Sequence, residues 1–196
     1  MNNQGYFSAR RITWLAILLA LVIVLQTFGG SINIGAVQLN FTLIPIVLGA
    51  ILLGPIAGLI LGLACGIVVL IQVIIGLVPF YTLIWTETPL VAALTCVVKT
   101  TVAGFLCGCV YKWLFRKNAY VAVFVASAIV PIVNTGLFML GCLGMWNAMV
   151  MIAGGSSIFG FIVVSLVGFN FFIELAVNLL VAPALYKVIK VVDKIF

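Results

Sequence analysis

The sequence predicts an all-α integral membrane protein of six transmembrane helices with both termini cytoplasmic. Three observations predict it. Hydrophobic residues make up 66% of the 196 residues and charged residues 6%, with a mean hydropathy of +1.46; a soluble domain needs a far more polar surface. Apolar stretches of about 18 residues or more recur along the chain, long enough to cross a bilayer. The basic residues gather in three clusters, which an even number of crossings places on one side.

The first span covers residues 11–28. The second, 41–53, is short for a crossing of about 30 Å, so part of the preceding INIGAVQLN extends or caps it. The motif LLGP, residues 52–55, marks a tight turn, and Pro55 suits the first turn of the next helix. The third span covers 55–77, the fourth 89–115, the fifth 119–143 and the sixth 159–189. Residues 143–159 leave room for a broken or re-entrant segment. The whole chain, 1–196, reads as one transmembrane domain, with no cleaved signal peptide closing the first apolar run.

Arg10 and Arg11 precede the first span. Lys112, Arg116 and Lys117 sit between the fourth and fifth, and Lys187, Lys190 and Lys194 end the chain. The opposite loops, 29–40, 78–88 and 144–158, contain no Lys or Arg. Positive residues collect on the cytoplasmic side, which sets the orientation. Trp85 and Trp146 then mark the outer interface, Trp14 and Trp113 the inner one. Topology thus accounts for the net charge of +6, and no nucleic-acid partner is needed.

Several chemistries are excluded. The chain has no histidine, the commonest general base and metal ligand. Its five cysteines (65, 96, 107, 109, 142) lie in apolar surroundings and do not form a disulfide framework. Cys107 and Cys109 point to different helix faces, so no metal site is expected. GPIAG lacks the Lys-Ser/Thr ending of a phosphate loop. With no nucleophile–base constellation, no enzyme and no cofactor are expected.

The informative residues are polar ones at depth, where a bilayer makes them costly. Lys99 lies about ten residues into the fourth span, roughly 15 Å from its outer end. Asn134 reaches a similar depth in the fifth, and Asn170 in the sixth. Glu174 and Asn178 follow Asn170 at spacings of four, on one helical face. Two readings are open: an interhelical polar seam in which Lys99 neutralises Glu174, or the wall of a solute cavity. In the second, Lys99 meets a carboxylate or phosphate, and asparagines meet amides or hydroxyls. Pro131 loosens the fifth helix beside Asn134. Gln38, Asn40 and Thr42 offer polar contacts from the first outer loop. Glu87 sits at the outer mouth as a solvated residue or a gate.

Gly54, Gly58, Gly62 and Gly66 form a smooth face by their spacing of four. Small residues let helices in lipid approach closely. The row suits either a neighbouring span or a partner protein. Internal packing is favoured for Gly62 and Gly66, and partner contact for Gly54 and Gly58.

Three stretches resemble a known family. TWLAILLALVIVLQ contains Ala16-x-x-x-Ala20, similar to the alanine pair that the substrate-binding (S) components of energy-coupling factor (ECF) transporters present to their coupling subunit. FTLIPIVLGAILLGPIAGLILGL, residues 41–63, resembles the core of the vitamin-specific S components. VNTGLFMLGC, residues 133–142, is also similar to bacterial members. The resemblance covers nearly the whole chain. It implies an S-component-like bundle in a bacterial plasma membrane that captures a vitamin or related micronutrient. A transmembrane coupling protein and two cytoplasmic ATPases would drive import, with Ala16 and Ala20 at the coupling contact.

Lys99 favours an anionic cargo, and a pantothenate-like molecule offers a carboxylate, an amide and hydroxyls; riboflavin, folate and pyrimidine precursors stay open. Lys99, Asn134 and Asn170 are the foremost cargo residues, joined by Glu174, Gln38, Asn40 and Glu87. The alternative is an autonomous small transporter, or a membrane scaffold without ATPase partners. A channel would show a continuous polar path, whereas the cytoplasmic halves of the spans are almost uniformly apolar.

Overall fold

The computed structural model describes residues 9–29, 33–34, 37–38, 40–77, 79–153, 157, 160 and 168–192. Helix α1 spans Ala9–Gly29, and a two-residue hairpin follows, β1 Asn33–Ile34 pairing antiparallel with β2 Val37–Gln38. Then come α2 Leu43–Leu53, α3 Pro55–Ile74, α4 Pro79–Glu87, α5 Pro89–Phe115, α6 Ala119–Gly144, α7 Trp146–Ala153 and α8 Phe169–Val192. Five of these helices (α1, α3, α5, α6 and α8) are long and apolar enough to cross a membrane.

Several boundaries depart from the sequence reading. The second predicted span is an 11-residue helix, about 16 Å long and half a bilayer crossing. Its neighbours explain how so short an apolar helix is tolerated. Leu43, Ile46, Val47 and Ala50 are fully buried, and α2 touches α1, α3, α5, α6 and α8. Protein, not lipid, is its solvent. The third span ends at Ile74, where the chain leaves the helix through Gly76 at a φ of 77°. The predicted outer loops hold helices α4 and α7, so 78–88 and 144–158 are not simple connections. The start of the predicted sixth span falls mostly outside the described residues, and α8 begins at Phe169.

The turn between α2 and α3 is made by Gly54, whose φ of 102° is a left-handed conformation open to glycine. Pro55 follows at the first helical position, where its missing N–H is not needed. The α5–α6 turn is closed by Asn118, whose Oδ1 accepts from the N–H groups of Tyr120 at 2.9 Å and Val121 at 3.2 Å. This side-chain cap satisfies donors that the first turn leaves open.

The glycine row packs inside the molecule. A Cβ on Gly58 would collide with the carbonyl of Gly104, and one on Gly62 with the carbonyl of Thr100. One on Gly66 would stand 2.8 Å from Val97 Cα. On α5, a Cβ at Gly108 would stand 2.6 Å from Pro55 Cα. Glycine therefore allows α3 and α5 to meet backbone to backbone, the close approach that favours helix association in lipid. This corrects the expectation of partner contact at Gly58 and Gly54. Gly58 spends its bare face on Gly104, and Gly54 is buried in the turn with Lys112 lying over it. By contrast, Ala16 and Ala20 are exposed on α1, which buries Leu18, Val22 and Gln26 and packs Leu15 and Leu19 against the core.

Candidate functional site

Lys99 is held by the periodicity of α5. Its buried positions include Ala92, Cys96, Lys99, Ala103, Cys107 and Tyr111, the three-to-four spacing of one helix face. A lysine on that face must enter the bundle, and Lys99 is only 8% exposed. Its Nζ donates a long hydrogen bond of 3.5 Å to Tyr81 Oη on α4. It also lies 5.7 Å from the Tyr81 ring centroid and 5.1 Å from that of Phe138 on α6. The two rings stand 6.0 Å apart at 59°. Aromatic faces within about 6 Å attract a cation and offset part of its lost hydration. They leave the ammonium with donors to spare.

Glu174 enters from α8 and is also 8% exposed. Its Oε1 accepts the backbone N–H of Asn40 at 3.1 Å. One turn further on, Asn178 Nδ2 donates to the backbone carbonyl of Glu174 at 2.8 Å. Lys99 and Glu174 act on each other electrostatically, and both act on Cys65 of α3. Neither makes a direct ion pair among the described residues. Both charges therefore keep capacity for another group.

The amides repeat that pattern. Among the described residues, Oδ1 of Asn40, Asn134 and Asn170 is buried without a hydrogen-bond partner, as is Ser127 Oγ. A buried polar atom left unpaired costs about 1–3 kcal/mol. Asn134 lies one turn before Phe138 on α6, and Asn170 one turn before Glu174 on α8. Pro131 remains inside a continuous α6 but removes the N–H that would reach the carbonyl of Ser127. The helix is deprived of a donor without being broken.

A second polar network ties α1, α2 and α3 together beside this cluster. Gln26 Nε2 donates to Gln72 Oε1 at 3.2 Å, and Gln72 Nε2 donates to the Gln26 carbonyl at 3.0 Å. Thr42 Oγ1 and Cys65 Sγ both donate to Gln26 Oε1, at 3.0 and 3.4 Å. Thr42 is two residues from Asn40, so the network anchors the segment whose N–H reaches Glu174.

The structure thus joins Asn40 to Glu174 with Lys99 in electrostatic reach, and places Asn170 one turn from Glu174 and Asn134 one turn from Phe138, whose ring lies against Lys99. Gln38 pairs with Asn33 through its backbone; its side chain lies outside the described residues. Glu87 is exposed and lines a separate cleft of about 210 Å³ between α4 and α7, with Leu83, Thr86, Ala148 and Met151. Sequence reasoning missed Tyr81, Phe138, Cys65, Gln26 and Gln72. For the two glutamines a signal was present: each stands alone in an apolar run, VLQTF and LIQVI. Among the described residues, no group of three His, Cys, Asp or Glu side chains is placed to hold a metal ion.

A bundle of long apolar helices thus encloses opposed charges and, among the described residues, amide oxygens without a hydrogen-bond partner. The model of the family "ECF transporter, substrate-specific component" matches residues 10–186, and the chain belongs to that family. It is a multi-pass transporter component, from a family that binds small molecules and works with a membrane coupling protein and ATPases. No curated protein matches the chain.

Proposed function

We propose that this chain captures a vitamin or related micronutrient, with a pantothenate-like anion favoured, and delivers it to an ECF module for ATP-driven import. Its setting is a bacterial plasma membrane. The bundle crosses six times with both termini cytoplasmic, the short α2 completing its crossing through the segment that precedes it. The observation that carries the reading is the state of the buried polar groups. Lys99 and Glu174 act on each other electrostatically without an ion pair among the described residues, where the side-chain oxygens of Asn40, Asn134 and Asn170 also lack donors. A carboxylate on Lys99, with amide and hydroxyl hydrogens on Asn134, Asn170 and Glu174, would satisfy these groups together.

Ala16 and Ala20 form the coupling contact in this reading. They are exposed on α1, and their lack of bulk admits a partner helix at close range. The test is co-purification and uptake. Wild-type protein should bring down a transmembrane coupling protein with two ATPases and support ATP-dependent accumulation of radiolabelled pantothenate. Ala16→Trp with Ala20→Trp should lose the ATPases while retaining cargo. Uptake by the chain alone, reconstituted without ATPases, would refute the proposal.

A further inference from the structure

We propose that the groove between α1 and the α2–α3 turn is a binding site for an anionic phospholipid, with one acyl chain in the groove and the phosphate on Arg11. The groove is about 380 Å³, and its walls are Ile12 and Leu15 from α1, Leu53 from α2, and Ile56 and Ile60 from α3. Its one charged wall residue is Arg11, in the first turn of α1. Nothing about the polar cluster of Lys99 and Glu174 is involved. The inference stands apart from the proposed cargo.

Charge and depth both point to this occupant. Neither α1 nor α3 carries an acidic residue in its first turn, so among the described residues these helices offer no counter-ion at the mouth of the groove for an anion to displace. Lys112 adds a second cation at that level, with Cε and Nζ both 3.6 Å from where a Cβ on Gly54 would stand. Ile56 and Ile60 are exposed large apolar side chains. A guanidinium matches phosphate oxygens through paired N–H donors. Basic pockets between membrane helices recognise anionic headgroups in this way, and the apolar walls below suit an acyl chain. A zwitterionic lipid fills the same walls but gains less at Arg11.

The experiment is native mass spectrometry of the full chain, equilibrated with equimolar dioleoyl phosphatidylglycerol and dioleoyl phosphatidylcholine. Retained phosphatidylglycerol should exceed phosphatidylcholine by about fivefold, the weight of one arginine at an anionic surface. Arg11→Gln should remove most of that preference, with Lys112 holding the remainder, and Arg11→Lys should keep most of it. Lys117→Gln, in the α5–α6 turn, should leave it unchanged. Ile60→Trp should reduce retention of both lipids by filling the groove. A photo-crosslinker in place of Ile60, activated in native membranes, should label phospholipid. Equal retention by the wild type, an unchanged ratio in a folded Arg11→Gln protein, or crosslinking to a protein in place of lipid would each overturn the proposal.

Discussion

The backbone N–H of Asn40 donates to Oε1 of Glu174 at 3.1 Å, joining residues 134 positions apart in sequence. Through this bond, the segment ahead of α2 closes onto a carboxylate of α8. Thr42, two residues on, holds Gln26 of α1. A group bound between Lys99 and Glu174 would therefore meet a wall whose position depends on α1, the helix that exposes Ala16 and Ala20.

Glu174→Leu removes the acceptor from that amide. A buried hydrogen bond of this kind is worth about 1–3 kcal/mol, so local opening should become roughly tenfold more frequent or greater. Hydrogen–deuterium exchange of the peptide covering residues 38–44 should speed up by that factor, while peptides of α3 and α5 stay protected. Unaltered exchange at Asn40 would mean that the contact does not hold the segment.

Gln26 and Gln72 depend on each other. Gln26→Leu leaves Gln72, Thr42 and Cys65 without their shared partner, at a cost of about 1–3 kcal/mol. Adding Gln72→Leu to Gln26→Leu should cost much less than Gln72→Leu alone, because the second orphan is removed with its partner. Thermal unfolding of the two single variants and the double variant in detergent gives the coupling. Strict additivity would contradict the network.

The glycine contacts between α3 and α5 give opposite expectations along the chain. Gly62→Ala and Gly104→Ala each press a methyl group into a backbone carbonyl of the facing helix. Overpacking of this kind costs about 1–3 kcal/mol, and here no side chain can rotate away. Gly136→Ala meets nothing within 4 Å, so it should be neutral or raise stability by about 0.5–1 kcal/mol through reduced chain entropy. Melting temperatures of the three variants should separate into two lowered values and one unchanged or raised.

Much of the fold was legible because lipid makes a helix declare itself by length and hydropathy. Pro89 and Phe115 were placed as the ends of α5 because proline opens the helix and a basic cluster follows it. Depth and spacing likewise singled out Lys99, Asn134, Asn170 and Glu174. Hydropathy says nothing about which neighbour covers an apolar face, so the central position of the 11-residue α2 was hidden. The same gap left the partner of Gly58 undecided between this chain and another. Helices α4 and α7 were missed because 8 or 9 residues between turn signals look like an outer loop. Tyr81 and Phe138 were missed for a related reason: an aromatic side chain in an apolar sequence reveals a cation beneath it only in three dimensions.

The central claim is that the buried charges and amides are set to receive a nutrient, and the most direct measurement is native mass spectrometry of protein purified from cells grown in rich medium. The wild type should carry a single small acidic molecule, and Lys99→Met and Asn134→Ala should lose it while eluting as folded monodisperse protein. An adduct that persists undiminished in folded Lys99→Met, or a wild type that takes up nothing from a mixture of water-soluble vitamins, would contradict that claim.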